Sequence, residues 1–113
     1  MDSHVILSLV HVFAVAPLLV IIAKTQWIPP LVVAAIGAII TLYHAWKTYT
    51  KLAAGRSAWI NIVHAAVIGP ALVVKGLVPD APRAVSELIL MFAFAAAGYH
   101  AYYLLTPLVR AST

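Results

Sequence analysis

The sequence predicts an all-α protein, a four-transmembrane-helix bundle built from two duplicated helical hairpins. Three observations predict it. The 113-residue chain is 65% hydrophobic and 9% charged, far from the mix of a soluble globular domain. Four runs, residues 3–23, 25–46, 57–74 and 88–109, contain no Asp, Glu, Lys or Arg. As a helix rising about 1.5 Å per residue, each is close to the length that crosses roughly 30 Å of hydrocarbon. Finally, the second half of the chain repeats polar and proline positions of the first.

The first helix has Asp2 or Ser3 as its candidate N-cap. The chain opens MDSH without a basic start, and its first apolar run leads into AKTQWIPP rather than a small-residue cleavage site. That run is therefore expected to stay as a membrane helix instead of leaving as a signal peptide. Pro29 and Pro30 open the second helix, where a missing N–H does no harm. Gly55 is its expected stop and Ser57 the candidate cap of the third, while GLVPDAPRA interrupts the chain before the fourth, with Asp80 as candidate cap. No linker or low-complexity run divides the chain. It reads as one membrane domain, residues 1–113, with repeats at about 1–53 and 54–113.

The repeat is carried by particular residues. Laid over one another at an offset of 53, His4, Ser8, His11 and Pro17 meet Ser57, Asn61, His64 and Pro70. Spacings of four and three put each polar trio on one helical face. In the second helix of each unit the offset is 56, and Tyr43, His44, Ala45 and Thr50 meet Tyr99, His100, Ala101 and Thr106. Two two-helix units in series run in the same direction, so their expected relation is a parallel repeat about a pseudo-twofold axis along the membrane normal. Both termini then share one side with the middle loop. That side carries Lys47, Lys51, Arg56 and Arg110 against Lys24, Lys75 and Arg83 opposite, which favours interior, cytoplasmic termini.

The net charge of +4 does not predict nucleic-acid binding, because the basic residues stand singly at helix ends, where they reach for headgroups. Anionic lipid is the expected partner. With no cysteine, neither a disulfide nor a thiolate metal site can form. Trp27, Trp46, Tyr49, Trp59 and Tyr102 fall near helix ends as interface aromatics, and Lys75 and Glu87 read as surface charges.

The chemistry lies with histidine. His11 and His64 come early in their helices and His44 and His100 late in theirs, so all four are expected at one depth in one leaflet, with His4 nearer the interface. An ionisable residue in hydrocarbon costs free energy unless it faces protein or water. His11, His44, His64 and His100 are therefore the candidate site for protons or a divalent cation, supported by Tyr43, Tyr99, Ser8 and Asn61. A structural reading competes: neutral imidazoles joining helices through hydrogen bonds to Ser8, Thr41, Asn61 or tyrosine, at about 0.6 kcal/mol each. A third reading is a b-type haem between two histidines, one from each repeat, with room left by AFAAAGYH and HAAVIG and with Lys47 and Arg56 for its propionates. Pro17 and Pro70 are expected to free a backbone carbonyl and kink their helices. Ser86, Glu87 and Asp80 have no convergent partner, and no phosphate-binding glycine loop occurs, so an enzyme is not expected.

The stretches HVFAVAPL and HAAVIGPAL and the two YHA segments resemble short integral-membrane proteins of giant nucleocytoplasmic DNA viruses. The resemblance implies residence in a virion-internal or host membrane, with neighbouring membrane or capsid proteins as partners; further copies of the chain are the partners that the conducting reading expects. It also implies a structural role beneath a capsid as an alternative function, and it implies no catalytic residue. The function favoured by the residues is binding or relay of protons or a divalent cation, with conduction in an oligomer.

Overall fold

The computed structural model describes residues 3–112, with side chains described through Pro107. Four helices make up the fold: α1 Ser3–Lys24, α2 Pro30–Ala53, α3 Trp59–Leu77 and α4 Arg83–Ser112. Among the described residues there is no strand. Each helix is long and apolar enough to cross a membrane, as a multi-pass integral membrane protein requires.

The helix ends follow from local chemistry. Thr25 closes α1, its hydroxyl donating to the Ile21 carbonyl at 2.7 Å and accepting from the Trp27 N–H at 3.3 Å. Pro30 opens α2 behind Pro29. At its far end Arg56 N–H donates to Lys51 O and Gly55 N–H to Leu52 O, while Gly55 takes φ +70°. This is a Schellman closure, and glycine is the residue that adopts its left-handed position without strain. Two expected caps are not used. Ala58, not Ser57, holds the N-cap position of α3, with no side-chain cap bond, and Ser57 is exposed between the glycine turn and the helix. Asp80 stands in a turn closed by Ala81 N–H on Val78 O, and Pro82 leads directly into Arg83. The fourth helix thereby starts five residues before the uncharged run at Leu88. Of the α1 candidates, Ser3 is already helical and Asp2 lies outside the described residues.

The helices pack chiefly as α2 against α3 and α1 against α4. The predominant contacts thus join the first half of the chain to the second. α2 and α3 approach closely at glycines: a Cβ on Gly37 would sit 2.6 Å from the Gly69 carbonyl oxygen and 2.7 Å from the Val73 nitrogen. Small residues at such crossings allow backbones to meet where lipid supplies no hydrophobic drive. The apolar core gathers Leu19, Ile22, Val33, Leu72, Ile89 and Ala93, with Leu72 and Ile89 fully buried. In every helix these residues lie on the far side of the histidine from the end where the chain enters at Ser3. Trp27, Trp46, Tyr49, Trp59 and Tyr102 are all exposed, as interface aromatics should be.

Candidate functional site

Both α1 and α3 change their winding at a histidine. Residues His11–Val15 and His64–Ile68 form π-helical turns, in which Ala16 N–H donates to His11 O and Gly69 N–H to His64 O. Pro17 and Pro70 follow directly. A proline ring collides with the carbonyl four residues back in an α-helix, and the wider turn is a known way to relieve such a conflict. The expected proline kink is thus taken up as a local change of winding. The two turns stand 53 residues apart, the offset that aligns the two histidines in the sequence.

The four helices bring His11, His44, His64 and His100 to one cavity of about 230 Å³, whose lining also includes His4, Lys51, Asn61, Ser8, Tyr99 and Tyr103. The four imidazoles are half-buried and His4 is exposed. They come in two close pairs, one stacked and one tilted, each joining the two halves of the chain. His44 lies on His64 with centroids 4.2 Å apart and planes at 28°, and His11 on His100 at 4.4 Å and 34°. Tyr43 and Tyr99 set their rings nearly perpendicular to the following histidine, both at 5.1 Å. Tyr99 lines the cavity and Tyr43 does not.

Hydrogen-bond chemistry assigns the protons. His11 Nδ1 lies 2.8 Å from Leu7 O and His64 Nδ1 2.7 Å from Ile60 O. A carbonyl only accepts, so in both rings Nδ1 carries the hydrogen, and in the neutral ring Nε2 keeps its lone pair. His44 is the reverse. The Lys51 ammonium, which can only donate, bonds Asn61 Oδ1 at 2.6 Å, and this leaves Asn61 Nδ2 to donate to His44 Nδ1 at 2.9 Å. Nδ1 of His44 is therefore the acceptor, and the neutral ring bears its hydrogen on Nε2. Ser8 Oγ stands 3.2 Å from His100 Nδ1, the place Asn61 takes in the other pair, and a hydroxyl can serve either tautomer.

Ser8 and Asn61, read from the sequence as supports, do touch histidines, whereas Thr41 bonds its own Gly37 carbonyl. Lys51 was expected at the headgroups with the other basic residues and is instead a half-buried member of the site. A spacing of seven from His44, two helical turns along one face, is the signal that identifies it. Lys75 departs from the surface-charge expectation too, donating to Ser86 Oγ at 2.6 Å beside a separate cavity of about 340 Å³ that includes Thr25 and Gln26 at the opposite end.

Among the described residues no group of three or more His, Cys, Asp or Glu side chains is placed to hold a metal ion. The geometry explains why. Imidazole lone pairs lie in the ring plane, so rings that overlap at 28° and 34° do not point theirs at one another, and the lone pair of His44 Nδ1 is already engaged by Asn61. A haem between the rings of either pair does not fit, since a macrocycle held by two histidines stands between them and these centroids are only 4.2 and 4.4 Å apart. Comparison with protein-family models, curated proteins and solved structures finds no match to the chain.

Proposed function

We propose that this is a multi-pass membrane protein, without enzymatic activity, that takes up protons reversibly at His11, His44, His64 and His100. One observation carries the reading: four half-buried imidazoles from four helices line a single cavity, and each has a hydrogen-bond partner at Nδ1. Imidazole is the side chain that changes charge near neutral pH, and a shared chamber lets the rings exchange protons with one another and with water. The overlapping imidazole pairs and the Lys51 charge favour protons over a divalent cation. The apolar core beyond the histidines favours binding over passage through a single copy, so conduction would require an oligomer.

The proposal includes a duplicated two-helix unit. The paired π-helical turns, the two cross-half histidine pairs and the exchange of Ser8 for Asn61 support it.

Proton uptake by the purified full chain in detergent, titrated from about pH 8 to pH 5, tests the reading. The wild type should bind more protons than a variant with His11, His44, His64 and His100 replaced by alanine, with helicity checked by circular dichroism. Equal uptake beyond the groups common to both would overturn it and leave a structural membrane component in its place. Liposome flux with the same pair decides whether an oligomer conducts. A Soret band after haem-supplied expression, or stoichiometric zinc or copper, would replace the proton reading with a cofactor one.

A further inference from the structure

We infer that the histidine chamber is also a site for a small monovalent anion, which enters as the imidazoles gain protons. The inference rests on the proton-binding reading and concerns what balances the charge. From α1 the chamber receives His4 and His11, from α2 His44 and Lys51, from α3 His64 beside Asn61, and from α4 His100 with Tyr99 and Tyr103. Among the described residues none of the lining groups is acidic.

The chain has three acidic residues. Glu87 pairs with Arg83 at 2.8 Å near the start of α4, Asp80 lies in the turn before it, and Asp2 is outside the described residues. Lys51 therefore meets an amide oxygen where a half-buried ammonium would ordinarily meet a carboxylate. Adding a proton to a neighbouring ring sets a second positive charge in the same low-dielectric space, and the repulsion grows with each proton. A monovalent anion removes that cost. The donors to hold it are present: the Lys51 ammonium has three N–H bonds and uses one on Asn61, and the Nε2–H of His44 is left over after its Nδ1 accepts from the same amide. A cavity of about 230 Å³ holds a halide-sized ion together with water. A divalent cation would face the same ammonium without any anionic ligand.

Chloride is the probe. Binding to the full chain in detergent is followed by ³⁵Cl line broadening against empty micelles, with gluconate as the large-anion control. The wild type should broaden the chloride line at about pH 5.5 and several-fold less at pH 8, and adding chloride at the lower pH should draw protons from an unbuffered solution, because the two ligands are linked reciprocally. Lys51→Met should weaken chloride binding about tenfold, equivalent to about 1.4 kcal/mol, while Lys51→Arg should retain it. Equal binding at both pH values, or by wild type and a folded Lys51→Met, overturns the inference. Proton uptake without chloride binding overturns it and leaves the proton reading standing; loss of both overturns both. If Lys51→Met fails to fold, the wild-type pH comparison and the chloride-driven proton uptake still decide the matter.

Discussion

Asn61 sets the polarity of the chamber, because its amide accepts from Lys51 on one side and donates to His44 on the other. Asn61→Leu removes both bonds and leaves a half-buried ammonium and an imidazole nitrogen without partners. The expected loss is about 1–3 kcal/mol, read from the denaturant midpoint in micelles. Asn61→Asp should act differently: a carboxylate accepts from both neighbours, so His44 should move its hydrogen from Nε2 to Nδ1. Side-chain ¹⁵N spectra check this, with wild-type His44 showing the Nε2–H pattern and His11 and His64 the Nδ1–H pattern; an unchanged His44 in the variant would contradict the assigned chain of donors. At this scale the sequence was informative about the histidines, Ser8 and Asn61, since helical spacing alone places them on common faces. It misplaced Lys51, because a basic residue near a helix end reads as a headgroup contact until a tertiary partner from another helix, here Asn61 of α3, claims it.

At the scale of the helix, glycine and proline decide the outcome. Gly37→Val would place a side chain against the backbone of α3, which cannot rotate away as a side chain would, so overpacking should cost about 1–3 kcal/mol. Gly98→Ala meets nothing within 4 Å and should stabilise α4 by about 0.5–1 kcal/mol, the ordinary gain of replacing glycine in a helix. Thermal melts of the two variants should shift in opposite directions. The π-helical turn gives a third test. It amounts to one residue inserted into α1, so deleting exposed Ala14 should restore regular winding but bring Pro17 into conflict with the carbonyl before it, at about 3 kcal/mol. Adding Pro17→Ala to the deletion should recover most of that loss. Proline positions in the sequence announced a disturbance of α1 and α3 without revealing its form, because hydropathy is the same for α and π winding. The unused caps have a similar cause: the Schellman turn at Gly55 and the proline before Arg83 fix the chain's path, and Ser57 and Asp80 follow it rather than direct it.

For the whole molecule, even helix number puts the termini and the loop around Arg56 on one side and the loop around Asp80 on the other. The natural absence of cysteine makes this simple to check. Single cysteines at Ser57 and Asp80 should react with an impermeant maleimide from opposite sides of a sealed vesicle, and labelling from the same side would contradict a four-span topology. Spans and connections were legible because uncharged runs and punctuation are local properties. The pairing of α2 with α3 and of α1 with α4 was not, since it depends on which small-residue faces meet, and alanine and glycine occur on several faces of these helices. The apolar residues around Leu72 and Ile89 form a floor beneath the chamber. On the proposed reading, that floor would leave the imidazoles to equilibrate with the aqueous phase on the side of the middle loop, so their occupancy would register the acidity of one compartment. A charge taken up in one leaflet, as the sequence leads one to expect, would cross little of the transmembrane potential, of which the full drop corresponds to about 2.3 kcal/mol per 100 mV for one elementary charge. If the proposed proton uptake holds, such a molecule would act as a gauge of one aqueous phase, reading its composition while remaining nearly indifferent to voltage.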